Sequence, residues 1–132
     1  MKGIDTNILV RYFVNDDTAQ TRLAQMYIDT LCEREHNVFI SAVVLCELVW
    51  VLRRVYGYDK RTIADALEKI LNTEQFVFDY YDAFLSAIES YQSINIDFAD
   101  LLIANINRFH GCESTVTFDK DATKLPVFTL LS

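Results

Sequence analysis

The chain reads as an α/β protein built on a mostly parallel sheet covered by helices on both faces. Two patterns carry that reading. Short apolar runs of strand length alternate with longer segments of helical period, and parallel strands need crossover connections of that kind. With one Pro (Pro126) and three Gly (Gly3, Gly57, Gly111), there is little material for an all-β meander of tight turns, so helix should dominate. At 132 residues, with 52% apolar and 23% charged side chains, a single domain spanning 1–132 is expected, large enough for one core without staples.

Residues 2–5 (Lys-Gly-Ile-Asp) form the first short strand, and Asn7 is read as the N-cap of an apolar helix through Ile8, Leu9, Tyr12 and Phe13. Asp16-Asp17-Thr18 opens a second helix with Leu23, Met26, Tyr27 and Leu31 at helical spacing. Val38-Phe39-Ile40 is a short buried strand. Ser41 caps the next helix, which runs to about Tyr56 and stops at Gly57.

A polar start at Asp59-Lys60-Arg61-Thr62 leads into Ile63, Ala66, Leu67, Ile70 and Leu71, another amphipathic helix. Phe76-Val77-Phe78 is strand-like, and residues 81–91 repeat the helical period through Phe84, Leu85 and Ile88. Residues 97–109 are helical, ended by Gly111, and 115–118 and 127–130 are the last strands. No repeat, linker or low-complexity stretch interrupts them.

Composition excludes several classes. No apolar run approaches the roughly 18 to 20 residues of a membrane span, and the N-terminus lacks the features of a signal peptide, so a cytoplasmic protein with no membrane partner is expected. Cys32, Cys46 and Cys112 are odd in number and widely spaced among apolar neighbours, which fits reduced thiols better than a disulfide framework or a zinc site. His36 and His110 are isolated, and three scattered glycines allow neither a Walker phosphate loop nor a Gly-rich dinucleotide motif. The net charge of −7 counts against a nucleic-acid partner unless a carboxylate cluster binds divalent cations and reverses the local sign.

Four acids stand in or beside apolar runs: Asp5 at the end of the first strand, Glu47 inside residues 43–52, Asp100 before Leu101-Leu102-Ile103, and Asp119 after Val116-Thr117-Phe118. An ionised carboxylate near a core must be paired, hydrogen-bonded or bound to a cation. Strand ends are also where ligands gather on parallel sheets. Oxygen-only donors favour hard cations, Mg²⁺ or Mn²⁺, over zinc.

Each acid has a plainer role to set beside that one. Glu47 could pair with Arg54 two turns on, although Arg54 could equally meet a substrate phosphate. Asp97 is read as an N-cap with its side chain on the helix amides, and Asp121 as a solvated charge or cap. Asn7 shares a side with Asp5 if the backbone stays extended there, and is otherwise a cap. Thr117 lies on the face of Asp119 and can hold a carboxylate or water through its hydroxyl. Arg11 and Arg54 are the candidate phosphate contacts, and Asn105 and Asn107 further substrate-facing candidates.

Taken together, Met-Lys-Gly-Ile-Asp-Thr-Asn at the start, Ser41-Ala-Val-Val-Leu-Cys-Glu-Leu-Val-Trp-Val-Leu52, Asp97-Phe-Ala-Asp-Leu-Leu-Ile-Ala104 and Thr115-Val-Thr-Phe-Asp-Lys-Asp121 resemble the PIN-domain family. The resemblance is to its VapC-type toxin ribonucleases of type II toxin–antitoxin systems, and it spans the whole chain in order. It implies a three-layer α/β/α sandwich with a central, mostly parallel sheet of four to five strands. It also implies a catalytic set of Asp5, Glu47, Asp100 and Asp119, with Asp5 and Asp100 as the principal ligands of Mg²⁺, or Mn²⁺ in its place. RNA would be the substrate, a cognate antitoxin the protein partner, and a homodimer the assembly.

Two other readings compete. A Mg²⁺-dependent phosphatase or receiver-like α/β protein also uses a strand-end Asp, but the phosphatase pattern needs a second Asp where Asn7 stands, and the receiver pattern needs an acidic pair. A PIN-like binding module without turnover would have no use for four acids.

Overall fold

The computed structural model describes residues 1–14, 16 and 18–132. Of the expected opening of the second helix, Asp17 lies outside the described residues. The chain divides into two compact units, Met1–Asp79 and Tyr80–Ser132.

The first unit runs β1 (Lys2–Gly3), α1 (Thr6–Phe13), α2 (Ala19–Glu33), β2 (Val38–Ile40), α3 (Ala42–Arg54), α4 (Lys60–Leu71) and β3 (Phe76–Phe78). Its three strands lie in the order β1-β2-β3 and all pair in parallel, with Lys2 opposite Val38, and Val38 opposite Phe76. Each crossover is a helix pair, as parallel pairing requires. Val38 and Ile40 are fully buried, against a core that includes Leu9, Ile28, Leu48, Leu52, Ile63, Leu67 and Ile70.

The helices start where small polar side chains can accept orphan amides. Thr18 accepts from Thr21, Ser41 from Val44 at 3.3 Å, and Asp59 from Thr62 at 2.8 Å. Gly57 follows α3 with φ +68°, the left-handed conformation that ends helices and suits residues without a Cβ. One cap differs from the expectation. Asp5, not Asn7, caps α1, because Thr6 is already helical and the Asp5 carboxylate reaches the Ile8 amide at 3.1 Å.

The second unit runs α5 (Tyr81–Tyr91), α6 (Phe98–Phe109), β4 (Thr115–Thr117), a 3-10 turn (Ala122–Lys124) and β5 (Phe128–Leu130). β4 and β5 pair in parallel, Thr115 opposite Phe128. The α5–α6 packing centres on Phe98, which meets Phe84 and Tyr91 edge-on at centroid distances of 6.1 and 5.7 Å. All three rings are almost fully buried.

On α2 the phase differs from the sequence reading. Leu23 and Met26 are each 67% exposed and Tyr27 is 46% exposed, while Thr21, Ala24 and Ile28 face inward. The inward threonine is tolerated because its hydroxyl reaches Thr18 and the Asp16 carboxylate. Among the described residues no helix is long and apolar enough to cross a membrane.

Candidate functional site

The first unit carries Asp5 and Glu47. Asp5 sits beyond the carboxyl end of β1 with one carboxylate oxygen, Oδ1, on the Ile8 amide. Glu47 lies on α3, whose inward face is Ala42, Leu45, Leu48, Val49 and Leu52. On the opposite side of the helix, Glu47 points to solvent together with Val43, Trp50 and Arg54. The expectation of an acid forced into the core is therefore corrected here. The apolar run around Glu47 divides between two faces, and the acid takes the wet one.

At the start of α3 stands a carboxylate that the sequence did not single out. Asp79, immediately after β3, accepts the Ala42 amide at 2.9 Å, while Ser41 takes the Val44 amide. Two of the four orphan donors of that helix are thus satisfied. No motif marks a lone Asp after a three-residue strand, so only the fold reveals it.

The second unit carries Asp97, Asp100 and Asp119. Asp97 occupies the N-cap position of α6 with extended backbone, yet its side chain makes no capping bond, contrary to the expected cap. Asp100, in the first turn, is half-buried. Burial holds its carboxyl above the ordinary aspartate range, and the charges of Asp97 and Asp119 push it further up. Asp119 is exposed and held at both ends: its N–H donates to Thr117 Oγ1 at 3.0 Å, and its Oδ1 accepts the Asp121 N–H at 2.9 Å.

The chemistry of this set fits a cation. Three acids whose charges work against ionisation of one member gain most from a positive ion, and all the donors are oxygen. Among the described residues, no three His, Cys, Asp or Glu side chains are gathered tightly enough to bind an ion by themselves. Asp5 and Glu47 belong to one unit, Asp100 and Asp119 to the other.

A family model described as PIN domain matches residues 3–127. The chain belongs to the PIN-domain family. It is also 26% identical, over 95% of its length and 92% of the relative's, to a VapC ribonuclease of Aquifex aeolicus (strain VF5). Among the described residues, six α-helices and five strands, every strand pair parallel, agree with the α/β class expected of a PIN domain.

Other side chains read from the sequence take more local roles in this PIN domain. Arg11 is paired with Asp16, Nη1 to Oδ2 at 2.6 Å. Asn105 donates one amide hydrogen to the Leu101 carbonyl at 2.8 Å and Asn107 one to Thr115 Oγ1 at 3.0 Å, which leaves each amide a second N–H. Asp121 makes an exposed ion pair with Lys124 at 3.9 Å, the solvated charge expected of it. His110 meets the Tyr80 hydroxyl at 3.1 Å. Asn7 is exposed and lines a groove of about 350 Å³ between α1 and α2 with Ile8, Arg11, Leu23 and Tyr27.

Proposed function

We propose that this PIN-domain chain is a Mg²⁺- or Mn²⁺-dependent endoribonuclease and the toxin of a type II toxin–antitoxin pair. The observation that carries the reading is Asp100, half-buried with two further acids acting on it, in a PIN-domain chain similar to a VapC ribonuclease. Asp5 and Asp100 would hold the ion, with Glu47 and Asp119 completing its surroundings directly or through water. When bound, the cation would offset the negative charge of the phosphoryl oxygens and make water a better nucleophile.

The chain's own residues divide the remaining work. Asp119, fixed by Thr117 and Asp121, orients a water and accepts its proton through the oxygen that Asp121 leaves free. Arg54 binds substrate phosphate. Asp97, with no capping bond to hold it, adds a nearby negative charge that keeps the pocket attractive to a cation. Leu23, Met26 and Tyr27 are apolar side chains that a protein partner would take out of water, and the antitoxin is the partner this reading assigns to them. A homodimer completes the assembly.

The test is cleavage of RNA by the purified chain with Mg²⁺ or Mn²⁺, with EDTA, and with Asp100→Asn. Cleavage should vanish with EDTA and fall at least about a hundredfold in the variant, the scale of losing one preorganised electrostatic group. Cleavage surviving both would sink the metal mechanism, and none under any condition would favour a PIN-like module without turnover. The toxin reading is tested by growth arrest on expression, relieved by the neighbouring open reading frame.

A further inference from the structure

The outward face of α3 carries more than Glu47. Val43, Glu47, Trp50 and Arg54 fall within one arc of about 60° at 3.6 residues per turn. Val43 is 66% and Trp50 60% exposed, although Trp50 is the chain's single tryptophan and the costliest apolar surface to leave in water. Arg53 and Arg54 close the helix, both exposed, and neither enters an ion pair among the described residues. Trp50 stands one turn, about 4.5 Å of helix rise, from Glu47, with the arginines one turn further on.

We infer that Trp50 is a stacking platform for a base of single-stranded RNA, with Arg53 and Arg54 taking the adjoining phosphates. The inference rests on the nuclease reading and names the form of substrate it accepts. An exposed indole flanked by cations is the pairing used for single strands, because every base has a π-face while the backbone carries the charge. A duplex keeps its bases stacked on each other and offers the indole nothing. A purely apolar partner surface would place neither an acid nor a guanidinium on the same stripe, with a second guanidinium, Arg53, beside it. Val43, at the other end of the stripe, supplies further apolar contact beside Glu47. In this arrangement Trp50 is a positioning residue, setting where the strand lies relative to Glu47.

Because no other tryptophan emits, the protein reports on its own platform. Short single-stranded oligoadenylate added to the full chain carrying Asp100→Asn, with Mg²⁺, should quench Trp50 emission, and a duplex RNA of the same length should not. In the otherwise wild-type enzyme, Trp50→Ala should raise KM for single-stranded RNA roughly five- to a hundredfold with kcat little changed, the range for losing one stacked base. Trp50→Phe should restore most of it, and replacing Arg54 by Ala should flatten the salt dependence of binding.

Unchanged emission together with an unchanged KM in Trp50→Ala, in an enzyme that cleaves, overturns the platform and leaves the nuclease standing. Emission that shifts with protein concentration in the absence of RNA, with a doubled mass lost in Trp50→Ala, overturns it in favour of an interface between copies. Quenching by single strands in a chain that never cleaves supports the platform and removes the nuclease.

Discussion

The Asp79 carboxylate accepts the Ala42 backbone N–H at 2.9 Å, tying the end of β3 to the first turn of α3. The bond spans 37 positions in sequence and sits where the helix dipole is positive, so it is charge-assisted. It fixes the helix that presents Glu47. Asp79→Ala should cost about 1–2 kcal/mol in urea unfolding, while Asp79→Asn, which keeps an acceptor oxygen, should lose less. Equal losses in the two variants would show that the bond is not what matters.

Asp100 predicts a trade between stability and activity. Its folded pKa is raised, so the folded chain holds this proton to higher pH than the unfolded chain does. The associated stability is fully present below the unfolded value and lost as pH rises through the folded one. At neutral pH and without metal, Asp100→Asn should therefore melt above the wild-type chain, with the gap closing on acidification. Mg²⁺ should raise the wild-type Tm and leave the variant's nearly unmoved. A variant less stable at neutral pH would contradict the assignment.

Asp16 has the opposite sign. The Thr21 hydroxyl, and with it Thr18 and Arg11, holds the Asp16 carboxyl below its ordinary range against a smaller opposing effect of desolvation. That stability is present above the unfolded pKa and lost as pH falls through the folded one. Asp16→Asn should flatten the acid limb of a Tm-against-pH curve. An unchanged limb would mean the network forms without the charge.

Phe98 is the central ring of the α5–α6 packing and is 1% exposed. Phe98→Ala should destabilise by about 3–5 kcal/mol, since the cavity lies between two rings that cannot both relax into it. Phe98→Leu should cost markedly less. Denaturant melts of both variants check the difference.

Much of this was legible in the chain. Ser41 and Asp59 were recognisable caps, because small acceptors stand just before apolar runs of helical period, and Gly57 marked its helix end by the conformation it alone adopts cheaply. Phase was harder to read. Periodicity shows that α2 and α3 have two faces, but tertiary packing chooses the buried one, so Leu23 and Met26 point outward and Glu47 stands in water. Competition for hydrogen bonds was hidden as well. Asp5 takes the capping role that Asn7 was expected to fill, Asp97 leaves its amides alone, and Asn105 and Asn107 each commit one donor inside the fold.

The ladder of the first unit has a consequence for synthesis. It pairs Lys2 with Val38 and Val38 with Phe76, so neither strand contact is local. Non-local pairings pay their loop-closure entropy before they return any stability, and the first strand spans only two residues. A nascent chain emerging at about 5–20 residues per second must keep its first helices waiting for seconds until β3 leaves the ribosome. During that interval Val38 and Ile40, later sealed from solvent, are open to proteases and chaperones. The strand that carries Val38 and Ile40 is made early and thus gains its second partner only when the chain has been extended to Phe78.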